Sequence, residues 1–412
     1  MNPTPPKFFL DPVAAAILTR YEEVFPITPK VLRDETNRFP NSKGATMTRR
    51  IQFAAVAAAF LIGSAALAKD SGEGLVTGDP GLKSAGALAF GPNGILFIGD
   101  SQGSALVAID TGDQSPGPVG GTFQIEGIDG KIAGALGVKP RDLLINDLAV
   151  NPISGKAYLS VSRGRGPDAA PVLVRADRSG KVEIVALEKI PFAKVDLANP
   201  PDANAKQMGQ SLRSDAITDI AYLDGKLYVA RLSNEEFSSK FLMIPFPFKK
   251  SADEASVEIY HGSHGRLETK SPIRTFVPFA IKGESYLMAA YTCTPIVKVP
   301  VAALKPGSHV KGTTIAELGN RNRPLDMITY AKGGKTYLLL ANSSRGVMKV
   351  ETEDAGTLAP ITARVPDKQG LTYETIGGLK GVVQLDKLGD NQALILTQAA
   401  DGAFNLQSID LP

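Results

Sequence analysis

Residues 87–98, Ala-Leu-Ala-Phe-Gly-Pro-Asn-Gly-Ile-Leu-Phe-Ile, place an apolar triplet, a tight turn and a second apolar run in immediate succession. Two short apolar runs around Gly91-Pro92-Asn93-Gly94 read as buried strands of a hairpin, because the turn residues supply the backbone freedom that a reversal needs. A third run, Leu106–Ile109, follows a polar loop. The phrase then returns. Leu148-Ala149-Val150 leads through Gly155 to Ala157–Ser160 and Val172–Val174, and Ile220-Ala221-Tyr222 turns at Asp224-Gly225 into Leu227–Ala230 and Phe241–Ile244. Looser copies begin at Phe279, Met327 and Val382, with turns at Gly283, Gly333-Gly334 and Gly389-Asp390-Asn391.

The residues just ahead of the first strands are 87, 147, 219, 278, 326 and 381, spaced by 60, 72, 59, 48 and 55. A repeat of this length is one small sheet that cannot bury both faces alone, so neighbours must cover it. Fourth strands are expected at Thr122–Glu126, Lys181–Leu187, Val257–Tyr260, Thr313–Leu318 and Pro360–Val365. The sixth copy meets the end of the chain before a fourth strand, and Gly74–Thr77 is the natural segment to complete it. The expectation is an all-β, six-bladed β-propeller whose last blade is closed by the N-terminal strand of the mature chain; ring closure removes exposed sheet edges. Seven blades result if Pro191–Leu212 hides a degenerate copy. One helical insertion is expected in Asp129–Ile145, lying across a propeller face as a lid or a cap over apolar channel residues.

Upstream, Met47-Thr48-Arg49-Arg50, the apolar run Ile51–Ile62 and the ending Ala66-Leu67-Ala68 follow the order of a secretory signal peptide. The apolar run is too short to span a bilayer. Residues 47–68 are therefore expected to direct export to the periplasm or outside the cell, with membrane contact only through the cleaved segment. Residues 1–46, Pro-rich at the start and weakly periodic, read as a mis-assigned upstream extension without a fold of its own. Residues 69–412 would form the single propeller domain. Of the 45 Lys/Arg and 42 Asp/Glu, 8 and 5 lie in residues 1–68, so the remainder is formally neutral. This gives no basic footprint for nucleic acid or an anionic membrane. A monomer is expected. Cys293 is the sole cysteine, which excludes an intramolecular disulfide.

In a propeller, residues just before first strands and just after second strands converge on one mouth of the central channel. Asn146, Asp147, Asp219 and Asp326 stand at the first position, with Arg141, Arg213 and Arg323 a few residues upstream. Arg163, Arg231, Asn342 and Arg345 follow second strands. Asp and Asn oxygens suit a hard divalent cation such as calcium, for which Asn146, Asp147, Asp219 and Asp326 are the candidate ligands, and Arg forks suit carboxylate or phosphate. The competing reading is structural: Asp at such turns caps backbone N–H groups, and neighbouring Arg pairs with it. His261 and His264 read as a solvated turn. Cys293 reads as a small buried residue without a histidine to activate it. No Ser-His-Asp order, phosphate loop or nucleotide fingerprint is present. The absence of Trp argues against a quinone-cofactor propeller.

The phrases Ala87–Gly94 and Asn146-Asp147-Leu148-Ala149-Val150-Asn151-Pro152 resemble those of secreted bacterial propellers related to NHL-repeat and SMP-30/gluconolactonase-like proteins. The resemblance implies a channel metal held by acidic and amide side chains, Asn146 and Asp147 among them, although a glutamate ligand early in the first blade has no counterpart here. Three functions follow as expectations. The chain binds a small polar or anionic ligand at the mouth, or is a metal-dependent lactonase or hydrolase there, or is a non-catalytic scaffold recognising protein or glycan through its face loops.

Overall fold

The computed structural model describes residues 74–412, apart from 119, 167, 208, 250 and 251. The expected extension at 1–46 and signal peptide at 47–68 lie outside the described residues. The protein is a six-bladed β-propeller, and each inner three-strand set falls where the repeat places it. Blade I is Leu88–Phe90, Ile95–Asp100 and Ala105–Asp110; blade II is Leu143–Val150, Ala157–Arg163, Ala170–Ala176 and Val182–Ile184. Blade III is Asp219–Leu223, Lys226–Leu232, Ser239–Pro245 and Asp253–His261; blade IV is Ile273–Ile281, Glu284–Tyr291, Pro295–Pro300 and Thr313–Leu318. Blade V is Pro324–Lys332, Lys335–Asn342, Gly346–Glu351 and Tyr373–Thr375; blade VI is Val382–Leu388, Gln392–Gln398 and Phe404–Asp410.

Local chemistry explains the hairpins. Blades III, IV and V turn from first to second strand through two residues, Asp224-Gly225, Lys282-Gly283 and Gly333-Gly334, all with positive φ. That is the mirror-image turn whose twist matches the strands it joins, and Asp-Gly and Gly-Gly are sequences that tolerate it.

The blades do not follow one another around the ring in chain order. The inner strand of blade I touches those of blades II and III, and the inner strand of blade VI touches those of blades V and II. Six apolar clusters record the same circuit. Leu96 and Ile98 of blade I pack with Tyr158 of blade II. On its other side, blade I sets Phe97 and Leu106 against Ile220 and Val229 of blade III. Blades III and IV share one seam, IV and V another, V and VI a third, and Leu394 and Leu396 of blade VI close on Leu148 and Leu159 of blade II. The ring therefore runs II–I–III–IV–V–VI and back to II. Each Leu, Ile or Phe buried in these seams contributes ~1.5–3 kcal/mol, so the seams hold the ring together.

This order corrects several expectations. The fourth strand of blade I is Ile190–Asp196, which returns after blade II and pairs with Ala105–Asp110. The segment Pro191–Leu212 thus begins with a missing outer strand and hides no seventh blade. Val76–Gly78 lies outside Ile190–Asp196 on blade I and does not close the last blade. That role falls to Gln124–Ile125, which pairs with Phe404–Asp410; the expected fourth strand of blade I is the closing strand of blade VI. Pro360–Val365 is not a strand, and Tyr373–Thr375 completes blade V. The helix is Ile128–Leu136, with Gly127 before it and Gly137 after it in left-handed conformation. It does not cover the channel. Ile128, Ile132 and Ala133 are buried in the seam between blades VI and II, and the Asp129 carboxylate accepts the Phe404 N–H at 3.0 Å.

Candidate functional site

The first strands enter around a cavity of about 800 Å3 at one end of the channel. A second cavity of about 320 Å3 opens from the other end, and Asp147, Asp219 and Asp326 line both. They form the constriction between the two. Along the ring these aspartates occupy blades II, III and V, which are alternate positions. Ala87, Thr275 and Gln384 hold the corresponding places on blades I, IV and VI.

Each of the three carboxylates does the same structural work. One oxygen accepts the N–H of the next residue in its own strand, Leu148, Ile220 or Met327, at 2.7–2.9 Å. The other reaches the neighbouring blade and accepts the N–H of Leu88, Phe276 or Leu385 at 2.7–2.8 Å. Each thus ties one blade to the next, II to I, III to IV and V to VI. Asp386, deeper in the channel, repeats the device between blades VI and II through Val150 N–H at 2.7 Å and its own neighbour Lys387 N–H at 2.7 Å. Gln384 adds a bond from its Nε2 to the Asn146 carbonyl at 3.0 Å.

These carboxyls touch channel solvent but sit at depth, which favours their neutral form. Burial raises Asp219 to about 6 and Asp386 to about 6. Burial, followed by the charge of Asp219, raises Asp147 well above the usual carboxylate range; burial, followed by the charge of Asp147, does the same to Asp326. The floor of the large cavity is therefore a ring of weak acids.

Its rim is cationic. Lys83, Lys206, Arg274 and Arg323 line the same cavity. Arg274 pairs with Asp215 at 2.9 Å. Arg323 has no ion-pair partner among the described residues. Desolvation, then the repulsion of Arg274, lowers its pKa against the weaker pull of Asp215. Arg323, exposed at the rim with a second guanidinium nearby, is an electrostatic arrangement that an anion relieves.

Of the sequence candidates, the cavity brings together Asn146, Asp147, Asp219, Arg323 and Asp326. Asn146 Nδ2 is committed to the Ala85 carbonyl at 2.8 Å and Ser162 Oγ at 2.9 Å. The other six stand apart from it. Arg141 lies in the short turn Pro140–Asp142, exposed, and Arg163 ends its strand exposed to solvent. Arg213 bonds to Ser104 Oγ. Arg231 is a buried strut, paired with Glu254 at 3.2 Å and donating to the Ala198 carbonyl at 2.6 Å. Asn342 is buried against Asn322 and the Leu340 carbonyl, and Arg345 holds the Asn320 carbonyl. Proximity in sequence to a strand end does not fix where a long side chain points. Lys83, Lys206, Arg274 and Asp215 complete the rim; of these only Arg274 carries a signal in the sequence, lying a few residues ahead of the apolar copy that begins at Phe279.

The expected metal set does not fit. The carboxylates of Asp147, Asp219 and Asp326 meet at the constriction from alternate blades, but their oxygens do not all lie within 4.8 Å of one another. Among the described residues, the set of three His, Cys, Asp or Glu whose ligating atoms lie within 4.8 Å of one another is elsewhere: His261, His264 and Cys293. Against the burial that would raise it, the two imidazoles lower the Cys293 thiol to about 6. The expectation of a solvated turn holds for His264, which is exposed in the turn after the strand, but not for His261, which is buried, and Cys293 has two histidines beside it.

No protein-family model matches the chain, and no curated protein is similar to it in sequence. Among solved structures it is similar to β-propeller proteins. One is a PQQ-bound aldose sugar dehydrogenase from Streptomyces coelicolor, at 13% identity over 81% of this chain and 96% of the other, with a TM-score of 0.33. Another is the extracellular region of plexin A4, at 9% identity over 82% of this chain and 40% of that longer protein, with a TM-score of 0.37.

Proposed function

We propose that this chain is an exported, monomeric propeller that binds a small anionic, hydroxyl-bearing molecule in the cavity at the channel mouth. The observation that carries the reading is the pairing of chemistries in one space. Arg323, without a carboxylate partner among the described residues, stands on the rim beside Arg274, above a floor of weakly acidic Asp147, Asp219 and Asp326. A carboxylate or phosphate satisfies the guanidinium fork. Carboxyls that are partly protonated near neutrality can both donate to and accept from ligand hydroxyls. The cavity, about 800 Å3, lies within the range usual for small-molecule sites. Export rests on the order of basic, apolar and small residues in 47–68. The lactonase analogy loses support here, because the oxygens of its acidic ligands do not all come within 4.8 Å of one another.

The test is calorimetric titration with a panel of sugar acids, sugar phosphates and matched neutral sugars. At least one anionic member should bind, its neutral counterpart should not, and Arg323→Ala should weaken binding about tenfold or more while leaving the ligand-free melting temperature unchanged, as expected for loss of a charged hydrogen bond. Binding that ignores Arg323→Ala, or a panel in which neutral sugars bind as well as acids, overturns the reading.

A further inference from the structure

We propose that His261, His264 and Cys293 form a site for one transition-metal ion of the zinc class, separate from the channel cavity. His261 ends the outer strand of blade III, His264 follows in the turn, and Cys293 lies in the loop between the second and third strands of blade IV. The ligating atoms of the three residues lie within 4.8 Å of one another. In a tetrahedral zinc site, bonds of ~2.0 Å to nitrogen and ~2.3 Å to sulfur bring neighbouring donors to ~3.5 Å, so a shift of about 1 Å closes the set. His264, the exposed member, has the room to make it.

The surroundings are those of a ligand shell. The carboxylate of Glu268, itself buried, accepts from His261 Nδ1 at 2.9 Å and from His264 Nδ1 at 2.7 Å. Engaging both Nδ1 atoms leaves both Nε2 atoms as the donors available to a metal, the arrangement by which a carboxylate fixes the tautomer and orientation of metal-bound histidine. His261 is only 2% exposed, and among the described residues its Nε2 is buried with no hydrogen-bond partner. A buried, unpaired imidazole nitrogen is costly unless something occupies it. Glu317 lies beside it: its Oε1 accepts the Gly262 N–H at 2.6 Å, while its Oε2 is also buried without a partner. Cys293 and Thr294 both adopt left-handed backbone, with φ of 66° and 58°, and the Cys293 N–H is held by the Asn322 carbonyl at 2.7 Å. This strained turn holds the cysteine in place.

The same residues suit a nucleophilic cysteine less well. Acyl transfer needs N–H donors aimed at a developing oxyanion. The N–H of Cys293 is used by Asn322 and that of Thr294 by the Tyr291 carbonyl at 2.8 Å. Two imidazoles and one thiolate instead supply three donors of the kind zinc and copper prefer, with a fourth position open to solvent on the His264 side.

Cobalt(II) titration of the full chain tests this. One equivalent should produce the visible bands of tetrahedral cobalt together with the near-ultraviolet thiolate-to-cobalt band, and one equivalent of zinc should abolish both. Cys293→Ser should remove the thiolate band, and His264→Ala should weaken cobalt binding at least tenfold. His264 is exposed, so its variant should melt like the parent, whereas His261→Ala is avoided because that side chain is buried. His309→Ala, at a distant histidine, should bind as the parent does. Cobalt bound with an octahedral spectrum lacking the thiolate band, no saturable binding, or equal binding by parent, Cys293→Ser and His264→Ala would each overturn the assignment.

Discussion

A single aspartate in this protein serves two ends that pull against each other. Asp219 fastens blade III to blade IV through Phe276 N–H, which favours its ionised form, yet it is buried near Asp147, Asp326 and Asp386, which favours its neutral form. Burial wins, and its pKa rises to about 6. Between about pH 4 and 6 the folded chain therefore holds a proton that the unfolded chain has released. Stability from this group is fully present at the acid end, falls as pH rises through the window, and levels off above the folded-state pKa. In Asp219→Asn the titration is gone, and one amide N–H₂ must face a backbone donor, at a cost of ~1–3 kcal/mol. Denaturant unfolding at several pH values should find the variant weakest relative to the parent near pH 4. The gap should narrow by on the order of 2–3 kcal/mol toward pH 7. A gap that is constant or widens with pH would show that Asp219 ionises normally. The positions of Asp147, Asp219 and Asp326 were legible because each precedes an apolar triplet. The fourth, Asp386, was not, because it sits two residues deeper in its strand, and the His261–Cys293 pairing was hidden by the distance along the chain between two blades.

Elements show the same division between local and non-local information. First and second strands of every blade could be read, because their apolar runs flank Gly-containing turns and their partners are adjacent in sequence. Outer strands could be matched correctly on blades II, III and IV but not on I, V and VI, since an edge strand of two or three residues such as Gln124–Ile125 carries no mark of its partner. Two glycines separate the physical causes at work in these elements. Gly225 has a φ of +78° in its hairpin turn, and a Cβ there would meet nothing within 4 Å. Gly225→Ala should thus lose only backbone energy, ~1–2 kcal/mol. Gly370, with φ of +87°, would place a Cβ 1.9 Å from the Ile315 carbonyl oxygen, on the strand that extends blade IV. Gly370→Ala must push that strand away and should lose clearly more. Urea unfolding of the two variants side by side checks the ranking, and equal losses would mean that the strand Lys368–Gly370 contributes little to holding blade IV.

For the whole molecule the decisive feature is the ring order, which no local pattern encodes. In a ring following the chain, blade I would stand between blades VI and II, and Phe97 could not meet blade III. In the ring found here, Phe97 stacks on Tyr222 of blade III, with centroids 5.9 Å apart and planes within 17°. Such pairs contribute ~0.5–1.5 kcal/mol beyond the area they bury. A double-mutant cycle isolates that part from the cavity each truncation leaves. Phe97→Leu and Tyr222→Leu should each destabilise the chain, and together should do so by less than the sum of the two. Phe97→Leu combined with a leucine at Tyr330, which belongs to the seam between blades V and VI, should be additive. Additivity for Phe97 and Tyr222 would separate blade I from blade III. It would also remove the reason for Ile190–Asp196 to return across the molecule, since that strand lies on the route from blade II through blade I to blade III.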